Sequence, residues 1–245
     1  GANLTVTRRA ITVTATALSK AYGAVDPALT HVITTGSLVI GDTLSGSLTR
    51  VGGEDVGTYA IGQGTMANNN YTITHVGADL AITQRPITVT ATATTKQYGA
   101  TDPTFDYSVT TGSLVSGGAL SGALSGALGR ESGANVGSYA MTIGTLANSN
   151  YNITFVPANL TITQRPITVT ADALTKEYGA TDPQLTFAIT TGSLAGSDTL
   201  TGALSRAIGE AVGTYAINLG TLANNNYNIS FRSSKKSLFY ESSII

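Results

Sequence analysis

Short runs of alternating apolar and polar residues recur along most of the chain. In the first run, Ile11, Val13 and Ala15 alternate with threonines, and residues 185 to 189 alternate in the same way. Such period-two alternation is typical of β-strands with one buried face. No stretch sustains the spacing of an amphipathic helix. The pattern therefore predicts an all-β protein.

One unit is repeated three times. A Tyr-Gly-Ala-x-Asp-Pro loop recurs at intervals of 76 and 80 residues, and the four extra residues fall in a local duplication at residues 119 to 126. Units of this length exceed solenoid repeats, so each is expected to be a small domain. The repeated signature residues are Tyr22, Gly23, Asp26, Pro27, Tyr98, Gly99, Asp102, Pro103, Tyr178, Gly179, Asp182 and Pro183.

Strands of five to seven residues between Gly-rich turns favour a small β-sandwich for each repeat. A β-grasp with one short helix, drawn from residues 44 to 50, is the alternative. The repeat pattern divides the chain as follows: residues 1–9 as the closing strand of a preceding repeat, 10–84, 85–164 and 165–231 as repeats 1, 2 and 3, the last without a matching closing strand, and 232–245 as a tail outside the pattern.

The repeats follow one another without a flexible linker. The last strand of one repeat continues into the first strand of the next through Gln84-Arg85-Pro86 and through Gln164-Arg165-Pro166. Flexible joints have Gly/Ser-rich compositions instead. Because proline lacks an N–H, Pro86 and Pro166 fit a change of sheet or an edge position. These junctions predict an extended rod of three domains.

Composition narrows the possible functions. Only 11% of the residues are charged, the net charge is −1 and cysteine is absent. A near-neutral chain has no general attraction for nucleic acid, and a cysteine-free chain has no disulfides or thiolate chemistry. No apolar run approaches the roughly 18 residues of a membrane span, so we expect no membrane insertion. Stability must come from small cores and from contacts between neighbouring repeats.

Several further motifs recur in one order. Each repeat contains Thr-Thr-Gly-Ser-Leu, then Val-Gly-Thr/Ser-Tyr-Ala, then an Asn-rich turn ending in Asn-Tyr. Over residues 2 to 231 this order resembles the MBG repeats of the Tyr-Gly-x type, found in large bacterial surface proteins and filamentous-haemagglutinin-like adhesins. The resemblance implies an extracellular stalk or adhesin module, on a bacterial surface or secreted, and supplies no catalytic residues. The middle repeat departs from the pattern, with Ala134 where Glu54 and Glu210 stand.

Three repeated features bear on a binding interpretation. Lysines six residues before Asp26, Asp102 and Asp182 would fit an ion or sugar site, whereas an Asp-Pro turn held by local backbone bonds is the favoured interpretation. Arg50 and its equivalents are expected to lie over a tyrosine ring or to pair with Glu54. The repeated tyrosines would fit a sugar-stacking surface, but their phase with apolar strand positions favours buried rings.

These patterns favour a structural stalk as the function. The alternative is an adhesive module that binds a host glycan or protein through a repeated surface. An enzyme is not expected, because no catalytic constellation recurs, and neither a cofactor nor a metal site is predicted. The histidines, His31 and His75, form no repeated metal pair.

The two ends of the chain differ from the repeats. Ala2-Asn3-Leu4-Thr5-Val6-Thr7 matches the closing strand at residues 158 to 163, while repeat 3 has no such strand after Phe231. Unpaired edges bind other strands, so Asn3, Leu4, Thr5 and Val6 are candidates for strand donation to a second molecule, with head-to-tail filaments as a third functional hypothesis. The rival interpretations are that residues 238 to 240 fill the gap or that the tail is foreign to the repeat pattern.

Overall fold

A computed structural model describes residues 1–115 and 124–233. The described residues contain no helix. Their strands are β1 (Arg9–Ala15), β2 (Leu18–Ala21), β3 (His31–Thr35), β4 (Thr49–Arg50), β5 (Gly57–Gly62), β6 (Tyr71–Val76), β7 (Ala78–Thr83), β8 (Arg85–Ala91), β9 (Thr94–Gln97), β10 (Tyr107–Thr111), β11 (Gly129–Arg130), β12 (Gly137–Thr142), β13 (Tyr151–Val156), β14 (Asn159–Thr163), β15 (Arg165–Ala171), β16 (Phe187–Thr191), β17 (Ser205–Arg206), β18 (Ile217–Asn218) and β19 (Tyr227–Ser233). The predicted all-β class is confirmed.

Repeat 1 is built from two sheets. The first has the order β3-β1-β6, in which β1 runs antiparallel to β3 and parallel to β6. The second has the order β2-β7-β5-β4, in which β7 runs parallel to β2 and antiparallel to β5. Both sheets therefore place a strand from one end of the repeat beside a strand from the other end.

The two sheets of repeat 1 share one hydrophobic core. Ile11 and Val13 of β1 are buried beside Ile61 of β5 and Leu80 of β7. The alternation in β1 thus has the buried face that the sequence predicts, because neighbouring side chains of a strand point to opposite faces. This is the expected sandwich arrangement. The helix of the β-grasp alternative is wrong, because residues 44–50 contain a bridge from Ser45 to Ala67 and the strand β4.

The chain forms two compact units, and the boundary passes through repeat 2. The first unit comprises residues 1–90, 107–128 and 143–156, and the second comprises residues 91–106, 129–142 and 157–245. The sheet β10-β8-β13 belongs to the first unit, and the sheet β11-β12-β14-β9 to the second. Part of the predicted duplication at residues 119 to 126 lies outside the described residues.

Repeat 3 lies in the second unit and has one complete sheet and one reduced sheet. The order β16-β15-β19 reproduces the first sheet of repeat 1, with β15 parallel to β19 and antiparallel to β16. The second sheet contains only β17 and β18 among the described residues. Strand β16 begins at Phe187, two residues later than the alternation from Leu185 predicts.

Each junction changes sheet, as predicted from the prolines. Strand β14 pairs with β12 and β9, whereas β15, one residue further on, pairs with β16 and β19. Pro166 pairs with Asn228 of β19, while pairing with β16 begins only at Thr168. The missing proline N–H therefore costs no ladder hydrogen bond.

Within the described ranges, no helix is long and apolar enough to cross a membrane.

Candidate functional site: charge clusters and joints between repeats

Four charged side chains form a closed ring in repeat 1. Lys20 Nζ lies 2.6 Å from Asp26 Oδ1 and 2.6 Å from Glu54 Oε2. Arg50 Nε lies 2.5 Å from Asp26 Oδ2, and Arg50 Nη2 also pairs with Glu54. Cations and anions alternate around the ring, so each charge has two neighbours of opposite sign.

The guanidinium of Arg50 also organises the neighbouring loop. Its Nη1 donates to the carbonyl oxygens of Val51 at 2.9 Å and Gly53 at 2.7 Å. Its carbon lies 5.5 Å from the ring centroid of Tyr59, within cation–π range. The prediction that this arginine pairs with Glu54 or lies over a tyrosine is confirmed, since it does both.

The ring is open in repeat 2. Lys96 and Arg130 both pair with Asp102 at 2.6 Å, but Ala134 provides no second carboxylate. Lys96 Nζ also donates to the carbonyl oxygen of Ala100 at 2.9 Å, and Lys176 makes the equivalent bond to Ala180 at 3.3 Å in repeat 3. Repeat 3 has Glu210 and closes the ring again with Lys176, Asp182 and Arg206.

The ion pairs lower the pKa of the repeated aspartates. The pKa of Asp26 falls to about 2, chiefly through the hydrogen bond from Arg50 and then through that from Lys20. The pKa of Asp182 falls to about 2 for the same reasons, with Arg206 as the larger cause. Because both oxygens of each carboxylate face a cation, the Asp-Pro turn is held by ion pairs, which corrects the expectation of local backbone bonds.

These rings leave little opportunity for ligand chemistry. A calcium site needs several clustered oxygen ligands, whereas the oxygens of Asp26 are already paired with Lys20 and Arg50. Across residues 1–115 and 124–233, no group of three or more His, Cys, Asp or Glu side chains could hold a metal ion. The geometry gives the ring a structural use, since it ties the Tyr-Gly loop to the loop after β4.

The first joint between repeats lies entirely within the first unit. Gln84 alone separates β7 from β8, and its Nε2 donates to the carbonyl oxygen of Ser149 at 3.1 Å. The guanidinium of Arg85 connects the two repeats, because Nη1 approaches the carbonyl oxygen of Tyr22 at 3.4 Å and Nη2 donates to Ser113 Oγ at 2.8 Å. The chain therefore passes between repeats under restraint from both sides.

Asn150 of repeat 2 makes two hydrogen bonds to repeat 1. Its Oδ1 accepts from the backbone N–H of Val56 at 2.9 Å, and its Nδ2 donates to Asp55 Oδ1 at 2.9 Å. Its own backbone N–H donates to Asn148 Oδ1, which fixes the turn. Asn150 is only 9% exposed. A buried amide that loses such partners destabilises the protein by about 1–3 kcal/mol, so this side chain holds the joint in one geometry.

Two tyrosines pack across the same joint. The rings of Tyr22 and Tyr151 meet edge to face, with centroids 5.5 Å apart and an interplanar angle of 83°. Tyr151 is buried, and its hydroxyl accepts from the backbone N–H of Val115 at 2.9 Å. Gly23 follows Tyr22 with a φ of +73°, and a Cβ there would lie 2.4 Å from Val115 Cγ2.

The second joint lies entirely within the second unit and repeats this geometry. Asn226 Oδ1 accepts from the N–H of Val136 at 2.9 Å, and Asn226 Nδ2 donates to Asn135 Oδ1 at 3.0 Å. The rings of Tyr98 and Tyr227 have centroids 5.5 Å apart and an interplanar angle of 77°. Asn135 stands where repeat 1 has Asp55, and its amide oxygen serves as the same acceptor.

The second joint also includes an acidic residue. The hydroxyl of Tyr227 donates to Asp198 Oδ2 at 2.6 Å. The pKa of Tyr98 is raised, chiefly by its hydrogen bond to the Asp198 carboxylate. Gly99, with a φ of +77°, would place a Cβ 2.6 Å from that of Ala195. Both joints thus need a glycine after the tyrosine, both for its backbone conformation and for close approach.

The structure places the repeated tyrosines in three settings. Tyr71 and its equivalents Tyr151 and Tyr227 are buried, as predicted. Tyr59 and its equivalents are half-buried beneath an arginine. The tyrosines of the Tyr-Gly loops contact the next repeat, except that Tyr178 of repeat 3 is 78% exposed. The bonds of Asn150 and Asn226 across the joints were not predicted from the sequence, because Asn-rich segments are usual in turns.

The fold and the joints define a class of protein: an all-β chain of tandem repeats that contact one another through a recurring interface. The family model for the MBG domain (YGX type) matches residues 11–81, 87–161 and 167–235. The chain therefore belongs to the MBG domain (YGX type) family, with three domains in tandem. No curated protein and no solved structure matches it.

Proposed function

We propose that this chain is a spacer of an extracellular bacterial protein, on the cell surface or secreted, whose folded repeats hold another part of that protein at a distance. One observation carries the proposal: the same joint is built twice, from equivalent residues, without a linker. Asn150 and Asn226 make equivalent bonds to the preceding repeat. A spacer needs joints that fix one repeat on the next, and a repeated joint meets that need.

The charge pattern supports the same role. In the rings, the carboxylates of Asp26, Asp102 and Asp182 each pair with a lysine and an arginine of their own repeat. Such ion pairs hold the loops together, and they leave these aspartates without an unpaired charge that could attract a ligand. Only 11% of residues are charged, so the polar part of the remaining surface is largely uncharged. Such a surface suits a segment that holds other parts of a protein apart and does not attract charged ligands.

The test places the 245-residue chain between a cell-surface anchor and an epitope, beneath a dense polymer layer. A Gly/Ser linker of the same length is the control, and its r.m.s. span is about 80–95 Å. We expect antibody to reach the epitope more readily on the folded chain than on the control. Equal or poorer access would contradict a spacer role.

A glycan and mucin binding screen on the same chain separates this role from adhesion. A spacer shows no saturable binding in the screen. Saturable binding that is lost when Tyr178, the exposed loop tyrosine, is replaced by alanine would instead favour an adhesive module.

A further inference from the structure

Repeat 3 contains an open groove at the position where repeats 1 and 2 hold their closing strand. In repeat 1, β7 lies between β2 and β5 and buries Leu80 and Ile82 at 0% and 2% exposure. In repeat 2, β14 lies between β9 and β12, and Leu160 and Ile162 are buried to the same degree. Within residues 124–233, no strand takes this place in repeat 3.

The groove has the lining that a closing strand requires. Its volume is about 400 Å³, and its walls include Leu174, Tyr178, Leu185, Tyr215 and Ile217. Residues 174–177 and 213–216, the equivalents of β2 and of most of β5, form no strand. Val212 is 91% exposed, whereas its equivalent Val56 is 37% exposed. The groove thus combines apolar walls with two flanking segments, residues 174–177 and 213–216, whose backbone groups are in no β-ladder.

A segment of the same chain matches the missing strand. Residues 2–7, Ala-Asn-Leu-Thr-Val-Thr, are identical to residues 159–163 and the preceding Ala158 at five of six positions, with Val6 in place of Ile162. They form no strand. Leu4 and Val6 are 91% and 87% exposed, although their equivalents in β7 and β14 are buried.

The face of repeat 1 beside this segment matches the other half of a joint. Asn70, the equivalent of Asn150 and Asn226, is exposed, and Val39, the equivalent of Val115, is 52% exposed. Arg9 is the first residue of β1 as Arg85 is the first residue of β8, and it already donates to Ser37 Oγ as Arg85 does to Ser113 Oγ. Repeat 1 therefore carries the receiving surface of a joint, and repeat 3 carries the opposite one.

We propose that residues 2–7 of one molecule bind as the closing strand in the repeat 3 groove of a second molecule, so that the two molecules join as neighbouring repeats do. In this arrangement Tyr178 of the second molecule packs against Tyr71 of the molecule that donates the strand, and Asn70 of the donor accepts from the N–H of Val212 of the second molecule. Ala211 replaces Asp55, so the joint has one hydrogen bond fewer. The proposal goes beyond the spacer role and does not depend on it.

The two contact surfaces are different, so the contact is heterologous and the same contact can repeat from one molecule to the next. Such head-to-tail contacts extend into longer assemblies as the concentration rises. Strand addition supplies a row of backbone hydrogen bonds, and the alternating side chains supply the register.

The register allows a direct test by disulfide crosslinking. Thr58 of β5 faces Ala81 of β7, so Thr214 is expected to face Thr5 of the donated strand. The pairs on either side of this one are the hydrogen-bonded ones, as the bond from Met141 N–H to the Ala158 carbonyl in repeat 2 indicates. Non-hydrogen-bonded pairs have Cα atoms about 4.5 Å apart, which is within disulfide range. The chain has no cysteine of its own.

The experiment mixes one 245-residue chain carrying Thr5→Cys with another carrying Thr214→Cys under mild oxidation. We expect heterodimers to form about tenfold or more faster than in the control mixture of Thr5→Cys with Thr191→Cys, because a formed contact raises the effective thiol concentration to the millimolar range. Thr191 is exposed on β16, away from the groove. Adding Leu4→Asp and Val6→Asp to the donor chain is expected to remove the excess.

Three outcomes would overturn the proposal. Equal rates in the two mixtures would mean that no strand is donated. A chain carrying both Thr5→Cys and Thr214→Cys that closes within one monomer would mean that the groove takes its own strand. A Thr214→Cys chain that never crosslinks, but does so readily once residues 234–245 are deleted, would mean that the tail occupies the groove, as in the interpretation that placed residues 238 to 240 there. Those residues lie outside the described part of the chain.

Discussion

Tyr22 of repeat 1 packs edge to face against Tyr151 of repeat 2, and their ring centroids lie 5.5 Å apart. Edge-to-face pairs contribute about 0.5–1.5 kcal/mol beyond their buried area. The second joint repeats the pair at the same distance. The tyrosine of the Tyr-Gly signature is therefore a residue of the joint.

Replacing Tyr22 by alanine is expected to lower the free energy of unfolding by about 1 kcal/mol or more, because the aromatic pair and its buried area are both lost. The matched control is Tyr178→Ala, since Tyr178 occupies the same place in repeat 3 but is 78% exposed. Its effect should stay within about 0.5 kcal/mol. Urea unfolding measures both, and equal losses would show that Tyr22 acts only within its own loop.

Alanine substitutions at Gly23 and Gly179 distinguish the cost of backbone strain from the cost of a steric clash. Their φ angles are +73° and +83°, so alanine at either position costs about 1 kcal/mol in backbone strain. Only at Gly23 does the added Cβ meet Val115, whereas nothing lies within 4 Å at Gly179. Gly23→Ala should therefore lower the urea midpoint more than Gly179→Ala. The reverse order would be incompatible with close packing at the first joint.

Repeat 2 offers a gain-of-stability test of the charge ring. Ala134→Glu supplies the carboxylate that Glu54 and Glu210 provide in the other repeats. We expect a gain of less than about 1 kcal/mol, because the glutamate side chains of the ring are 65% and 66% exposed in repeats 1 and 3 and exposed ion pairs are weak. Ala134→Gln has a similar size without the charge and should give less. Thermal unfolding at low and high salt provides the check, since only the glutamate's contribution should decline as salt rises.

The depressed aspartate pKa values predict a loss of stability in acid. The pKa of Asp26 and that of Asp182 are each about 2 in the folded protein and near 3.8 without the ion pairs. A lowered folded-state pKa stabilises above the unfolded value, and the contribution is lost as the pH falls. Urea midpoints should therefore drop between about pH 4 and pH 2. A chain with Asp26→Asn and Asp182→Asn should show a shallower drop, and an identical profile would contradict the assignment.

Local patterns in the sequence were enough to predict β1 and the linker-free junctions, whereas the strand predicted for the Val-Gly-Thr-Tyr-Ala segment of repeat 3 is absent from residues 212–216. The alternation of Ile11 and Val13 identified β1 and its buried face, since both properties depend on neighbouring residues. The parallel pairing of β1 with β6 was not predictable in this way, because the partner begins about 60 residues later and nothing local specifies it.

Contacts between neighbouring repeats were expected, but the side chains that form the joints were not predicted from the sequence. Asn150 bonds to residues 94 and 95 positions away, and an asparagine in a turn usually needs no such partner. One signal was available: repeat 2 keeps Asn148 and Asn150 but has Ser149 between them. The two asparagines bond through their side chains, whereas Ser149 bonds, within the described residues, only through its backbone carbonyl. Asp26 was misinterpreted for a similar reason, since its partner Arg50 lies 24 residues further along.

Each joint is expected to fix one repeat on the next, and a distance distribution measured across the first joint reports on this rigidity. Spin labels at Thr72→Cys and Asn152→Cys occupy equivalent exposed positions of repeats 1 and 2, and labels at Thr58→Cys and Thr72→Cys within repeat 1 are the control. We predict that the distribution across the joint is as narrow as the control and that it broadens when Asn150 and Tyr22 are both replaced by alanine. A broad distribution in the intact chain, unchanged by those substitutions, would contradict the account.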